Sequence, residues 1–253
     1  MNNVKVEILG DGEPQYAVIA CVHGDEPEGW DAIQRFKKSG YEVNEPLKLV
    51  LANEEAKAED ERFLEKDLNR VFPGDSEGVH EERLAAKLFD ELKGMKSLDL
   101  HTTNSRAASF AIISNPNETE KQLAESTGIE KVVDMSFVEG GMDDELDMVV
   151  AEASREGETT DHLYKTIINF LAAEGVIDED FRQTDPEFFH VYDKEEGTNY
   201  RFTAQNFQLV QEGEVFAEKE DDTKIASEDF YPILMSTDGY DDMIGFKARK
   251  TEL

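Results

Sequence analysis

The sequence predicts an α/β fold, a mainly parallel mixed sheet with flanking helices over residues 1–180, followed by a small β-rich C-terminal domain over 181–253. Two observations carry this expectation. Through the first two-thirds of the chain, short apolar runs alternate with stretches whose apolar residues recur at helical spacing, the pattern of helices packed on a parallel sheet. Beyond roughly Asp180 the rhythm changes to short strand-like runs separated by polar turns. The 253 residues suffice for one large domain, or a main domain with an appendage, and for a substantial core.

Taken in order, Gln15 to Val22 (QYAVIACV) reads as a buried strand, and a loop follows at His23 to Gly29. A helix is expected from about Glu28 to Lys38, with Gly40 at the C-terminal position where glycine is favoured. Leu47 to Ala52 is the next strand. Within Glu81 to Leu92, the residues Leu84, Leu88, Phe89 and Leu92 form one helical stripe, which Gly94 ends. Ser97 to Thr102, Ser109 to Ser114, Lys131 to Phe137 and Asp147 to Ala153 read as further strands. Thr160 to Ala173 reads as a helix with Thr159 or Thr160 as N-cap and Gly175 just past its end. In the tail, Phe188 to Tyr192, Phe207 to Phe216 and Phe230 to Met235 are the expected strands. No internal repeat or low-complexity linker interrupts the chain.

Composition narrows the setting. A single cysteine, Cys21, cannot pair within the chain, which points to a reducing, cytoplasmic location. The first ten residues lack a signal-peptide pattern, and no apolar run is long enough to span a bilayer, so no membrane role is expected. Asp and Glu total 58 against 26 Lys and Arg, a net charge of −32. So acidic a chain without a dense basic cluster is not expected to bind nucleic acid. With 39% hydrophobic residues and 15 Phe, it has the means to form a packed interior, so the excess acid reads as a charged shell and not as disorder. Adaptation to concentrated salt, a halophilic setting, is the expected reason, because screening suppresses the self-repulsion of such a surface.

Three groups of residues carry candidate chemistry. His23 and Glu26 follow a buried strand in His23-Gly24-Asp25-Glu26-Pro27-Glu28-Gly29, at the strand end where α/β proteins place ligand sites. His101 follows another strand in Asp99-Leu100-His101-Thr102-Thr103. Two imidazoles and a carboxylate form a familiar zinc set for hydrolysis, with a fourth position open to water. A lone His-x-x-Glu is more often a solvated loop pair; the second strand-end histidine raises the odds of a metal role. His80 and His162 lie near helix starts in polar company and read as surface residues, and His190 reads as a core or sheet histidine with its own partner. The second group, Arg62 to Arg70, holds arginines suited to gripping carboxylates, although in so acidic a protein they could equally bridge surface acids. The third is Glu152, inside the apolar run Met148 to Ala153. Burial would raise its pKa and suit it to proton transfer, while strand alternation could instead turn it outward.

Together, H-G-D-E-P-E-G, D-L-N-R, L-D-L-H-T and a late A-E-A strand resemble the succinylglutamate desuccinylase/aspartoacylase family of zinc-dependent deacylases, relatives of the zinc carboxypeptidases. The matched stretch runs from about residue 15 to 155. The resemblance implies a zinc carboxypeptidase-like fold and one Zn2+ per chain at His23, Glu26 and His101. It implies Glu152 as proton shuttle, Arg62 beside the reacting carbonyl, and Asn69 with Arg70 on the substrate carboxylate. In the tail, Asn206 to Val210 with Gly213 resembles the start of the family's C-terminal β segment, and Tyr231-Pro232 followed by Tyr240 resembles the stretch supplying a substrate-contacting tyrosine. One departure stands out. Aspartoacylases carry a substrate-binding arginine in the loop before the catalytic glutamate, whereas Glu139 to Glu145 here (EGGMDDE) has no basic residue and Arg155 stands on the far side of Glu152. This counts against N-acetylaspartate as substrate. Asp25 and Asp99 are candidates to orient a ligand imidazole.

The expected activity is therefore hydrolysis of an N-acyl amino acid or a similar small amide. A zinc carboxypeptidase acting on peptides and a non-catalytic carboxylate-binding module are the alternatives, and the oligomeric state is left open. From the charge alone, the thermal midpoint followed by circular dichroism should rise between low-salt and molar-salt buffer; a chain fully folded and active at low salt would contradict the halophilic reading.

Overall fold

The computed structural model describes residues 4–237 and 242–252. The chain begins with β1 (Lys5–Leu9), β2 (Tyr16–Ala20), α1 (Pro27–Ser39), β3 (Leu47–Leu51), α2 (Glu54–Glu59), α3 (His80–Leu92) and β4 (Lys96–Thr103). It continues through β5 (Phe110–Ile113), α4 (Glu118–Ser126), β6 (Lys131–Asp134), β7 (Met148–Ser154) and α5 (Thr159–Ala173). The remainder is β8 (Glu187–Glu196), β9 (Arg201–Phe202), β10 (Val215–Lys219), β11 (Asp222–Ile225), β12 (Tyr231–Ile233) and β13 (Met243–Thr251).

A ten-stranded sheet runs in the order β1-β3-β2-β4-β7-β5-β6-β8-β13-β12. Strands β3, β2, β4 and β7 are mutually parallel, as are β5, β6 and β8, and the two blocks meet antiparallel between β7 and β5. The apolar content of β2 and β7 explains their central place. Val18 and Ala20 face one side while Ala17 and Ile19 face the other, so both faces of the strand are buried, as parallel sheets require. On the first face α1, α4 and α5 contribute Ile33, Phe36, Leu123, Ile167 and Phe170; on the second, α3 contributes Leu84, Leu88 and Leu92. The expected mainly parallel, mixed α/β sheet with flanking helices is thus present. No helix among the described residues is long and apolar enough to cross a membrane.

Beyond residue 180 the strands divide between two sheets. β8 pairs with β6 and, with β13 and β12, extends the large sheet, while β9, β10 and β11 form a separate three-stranded antiparallel sheet. The change of rhythm near Asp180 marks where βαβ connections give way to hairpins, with no break in the main sheet. Expected and observed elements differ at specific places. Phe207 to Phe216 is mostly loop, with one bridge between Val210 and Phe230, and strand structure begins only at Val215. Phe207 is apolar because it plugs a core, its ring 5.1 Å from that of Phe110 and 5.3 Å from that of Phe189. At α5 the N-cap position belongs to Glu158, and the Thr159 hydroxyl instead donates to the Ser154 carbonyl at 2.7 Å. His80 is buried, Nε2 lying 3.4 Å from Asn53 Oδ1, so its polar neighbours in sequence misplace it on the surface. His162 is exposed, and His190 is an exposed sheet residue with Nδ1 2.7 Å from Asp134 Oδ2.

One buried acid makes a measurable signature. Glu120, in the first turn of α4, is 1% exposed and accepts a hydrogen bond from the Asn115 N–H at 2.9 Å. Burial, helped by Asp143 and Asp147, pushes its carboxyl up to about 8. A raised carboxyl pKa means that the folded chain keeps a proton the unfolded chain releases. The associated stability is complete below the ordinary carboxyl range and is lost as pH rises through about 8. Glu120→Gln keeps an acceptor for Asn115 and cannot ionise. The thermal midpoint of the variant relative to the parent should therefore increase from pH 5 to pH 9, and a pH-independent difference would refute the assignment.

Candidate metal centre and substrate cavity

After β2 the chain turns one way to β3, while β4 lies on the other side of β2, so the carboxyl ends of β2 and β4 frame the crevice that such a reversal opens. His23 and Glu26 stand in the loop leaving β2, and His101 lies near the end of β4. The turn is sharp: Cys21 adopts φ 58°, a left-handed conformation uncommon for a residue with a side chain. Gly24 is required by close approach, because a Cβ there would lie 2.3 Å from the Ala56 carbonyl carbon and 2.4 Å from the Lys57 nitrogen of α2. The Cys21 thiol is buried and pushed up to about 12, chiefly by burial, so it is a packing group and not a nucleophile.

His23, Glu26 and His101 are all buried, and each offers one ligand atom within 4.8 Å of the others. The Glu26 carboxylate joins them. Oε1 lies 2.8 Å from His23 Nδ1, Oε2 lies 3.2 Å from His101 Nδ1, and Oε2 also accepts the Thr102 N–H at 2.8 Å. Burial alone would raise the Glu26 carboxyl, but His101 and His23 outweigh it and hold it well below the carboxylate range. The far nitrogens are occupied too: His101 Nε2 lies 2.9 Å from Asp99 Oδ2 and His23 Nε2 lies 3.2 Å from Asp67 Oδ1. Burial opposes charge on His101, yet Asp99 and Glu26 together raise its pKa well above the ordinary value. Two imidazoles, one carboxylate and carboxylates behind both rings are the donor set and outer support that a zinc ion takes, so these residues fit the group. Of the two aspartates proposed to orient an imidazole, Asp99 does so and Asp25 does not; Asp25 instead accepts from Arg155 Nη2 at 3.3 Å.

Glu152 faces His101 directly across the β4–β7 pairing. It is buried on the cavity wall, and burial, the largest cause, raises its carboxyl to about 7 despite the nearby cations. The outward-facing alternative is thereby excluded, because β7 is covered on both faces and flanked by β4 and β5.

The loop after α2 brings the basic cluster. Glu81, the second residue of α3, is fully buried and accepts the backbone N–H groups of Leu64, Glu65 and Lys66 at 2.8, 3.1 and 3.1 Å. Burial would raise this carboxyl, but the three backbone donors more than offset it and lower it. So anchored, the loop places Asp67 between His23 and the Arg62 guanidinium, whose Nη2 is 3.3 Å from Asp67 Oδ2 and whose Nη1 is 3.6 Å from Glu26 Oε1. Asn69 Oδ1 accepts the Met142 N–H at 3.0 Å, and Arg70 is exposed. Tyr240 lies outside the described residues.

A cavity of about 770 Å³ opens over this centre, lined by His23, Glu26, His101, Glu152 and, from the loop, Arg62, Asn69 and Arg70. Arg155 lines it as well, so its position beyond Glu152 does not remove it from the site: Nε donates to Thr102 Oγ1 at 3.0 Å and Nη2 to the Asp25 carbonyl at 2.8 Å. Residues of the C-terminal segment, including Leu234 and Phe246, line it too. Sequence reasoning assigned no role to Asp67, Glu81, Ser114 or Asp143. Asp67 sits inside the same D-L-N-R motif and was within reach, whereas the others converge only through the fold.

Against known proteins, the catalytic-domain profile of the succinylglutamate desuccinylase/aspartoacylase family matches residues 13–153. A probable aspartoacylase of Acaryochloris marina (strain MBIC 11017) is 29% identical over 123 residues, a segment covering 44% of this chain and 42% of that relative. The chain thus matches less than half the length of this relative. Among solved structures, a succinylglutamate desuccinylase/aspartoacylase from Rhodobacter sphaeroides superposes with TM-score 0.77 at 21% identity, covering 97% of this chain and 89% of that one. The ectoine utilisation protein EutE (DoeB) from Ruegeria pomeroyi gives 0.78 at 16% identity over 98% and 88%. At those identities the superpositions speak for the fold alone; the profile match, running from before β2 to the end of β7 and containing every residue of the buried centre, shows that the chain belongs to the succinylglutamate desuccinylase/aspartoacylase family.

Proposed function

We propose that this chain is a cytoplasmic, zinc-dependent amide hydrolase that removes the acyl group from an N-acyl amino acid. The observation that carries the reading is the convergence of the His23, Glu26 and His101 group with the buried Glu152 carboxylate on one cavity wall. His23, Glu26 and His101 would hold zinc, which when bound supplies Lewis acidity and a water of lowered pKa.

The remaining steps belong to the chain's own groups. Glu152 accepts a proton from the attacking water and returns it to the nitrogen of the leaving amine, a role suited to a carboxyl raised to about 7. Arg62, half-exposed and directed over Glu26, donates to the carbonyl oxygen as negative charge gathers there. Asn69, through its amide N–H groups, and Arg70 take the carboxylate of the amino acid, so that the scissile carbonyl is held beside Glu152. Asp99 fixes the His101 ring and Asp67 braces both His23 and Arg62. Tyr240 is proposed as a further substrate contact, and the acidic shell as an adaptation to salt.

Glu152→Gln should retain metal and fold while kcat on an N-acyl amino acid falls by roughly 10²–10⁴-fold; near-normal turnover would remove Glu152 from the mechanism. His101→Ala should lose most bound zinc after dialysis, read by atomic emission, and unchanged metal content would count against its being a ligand. Activity on acylated amino acids but not on short peptides, assayed in high salt, is the expected substrate profile.

A further inference from the structure

The cavity carries a carboxylate that no basic residue among the described ones answers. Asp143 lines it and is 6% exposed. Its side-chain partner among the described residues is the Ser114 hydroxyl, which donates to Oδ2, and no Lys, Arg or His forms an ion pair with it there. The cations that share the cavity are directed elsewhere: Arg62 pairs with Asp67, Arg155 with Asp25, and Arg70 donates to the Asn69 carbonyl at 2.6 Å. A buried carboxylate without a counter-charge is costly, and a cation delivered by a ligand would offset that cost.

Its position is defined from two sides. A Cβ built on Gly141 would lie 2.4 Å from Asp143 Oδ1 and 3.5 Å from Asn69 Oδ1, so the carboxylate neighbours the residue proposed to take the substrate carboxylate. Along the sheet, Phe110 of β5 faces Glu152, and Ser114 follows directly after the end of β5, four residues on and roughly 13 Å away at about 3.3 Å per residue. Asp143 therefore stands away from the reacting carbonyl, beside the amino acid end, where a side chain would extend. The loop Glu139 to Glu145 holds no basic residue, and Asp144 is committed to the Gly141 N–H at 2.9 Å. An acidic substrate side chain entering here would meet Asp143 with no compensating charge.

We propose that Asp143 is the specificity determinant of this cavity and binds an alkylammonium group, so that the preferred substrates are N-acyl derivatives of amino acids with a long basic side chain. The proposal rests on the deacylase reading above and adds the class of amino acid. Ser114 holds the carboxylate in place, while Asn69 and Arg70 hold the α-carboxylate, giving two opposite charges at fixed separation. That pairing excludes aspartate and glutamate by repulsion as much as it selects lysine or ornithine by attraction.

The test uses the zinc-loaded full chain in high salt with Nα-acetyl and Nα-succinyl derivatives of lysine, ornithine, norleucine and glutamate. Norleucine matches the lysine side chain but lacks its terminal amine. Lysine or ornithine derivatives should exceed norleucine at least 10-fold in kcat/KM, mainly through KM, and glutamate should be poorest. Asp143→Asn, which retains an acceptor for Ser114, should bring the lysine to norleucine ratio close to one. Calorimetric binding of the free amino acids provides a readout that needs no turnover, with lysine expected to bind more tightly than norleucine or glutamate, and Asp143→Asn to erase the difference. Equal or reversed preference in the parent chain, by either measurement, overturns the proposal. Absence of hydrolysis alongside the expected binding order would sink the deacylase reading and leave the subsite standing.

Discussion

The site depends on one buried carboxylate serving two strands. Glu26 reaches His23 within its own loop and both His101 and the Thr102 backbone on the adjacent strand. A carboxylate so placed cannot be solvated by water, and its charge is tolerable only because imidazoles and a backbone donor surround it. The same constraint fixes the ends of β2 and β4 relative to each other, and the parallel register sets His101 against Glu152 on β7. A group of residues able to hold a metal and a buried carboxyl beside it, on three neighbouring strands, thus follow from strand order plus one shared acid.

Around that centre, carboxylates do structural work that the overall charge conceals. Glu81 gathers the backbone of residues 64–66, and Asp67 then spans His23 and Arg62. Arg155 ties Asp25, between two candidate ligands, to Thr102, next to the third. Each of these acids meets a cation or several N–H donors. Glu120 and Asp143 have no such cation among the described residues, and burial raises both. In a chain with net charge −32, the exposed acids keep the surface hydrated while the interior ones are arranged individually.

The C-terminal segment is part of the cavity and not an ornament on it. β8, β13 and β12 continue the main sheet, and Leu234 and Phe246 line the cavity. The family profile ends at residue 153, before these strands begin. The profile match therefore covers the metal-ligand candidates and Glu152, while part of the cavity lining comes from the segment beyond it.

How much was legible in the sequence follows from how local each signal is. Buried strands β2, β3 and β7 announce themselves as apolar runs, and α1, α3 and α5 as periodic stripes, because in each the pattern is set by two covered faces or one. The short, acidic α4, the edge strand β1 and the charged strand β13 gave no such signal, since solvent on one side permits polar residues. The His23-x-x-Glu26 loop, His101 and Glu152 could be singled out as residue types at strand ends, and a motif order gave them a family. That Glu152 points inward, that Asp25 serves Arg155, that Arg155 reaches the cavity and that Asp143 lines it with Ser114 as partner and no cation among the described residues were decided by tertiary structure alone. The physical reason is that burial and pairing are properties of a side chain's neighbours in space, and residues such as Ser114 and Asp143 become neighbours only once the sheet and its covering loop have formed.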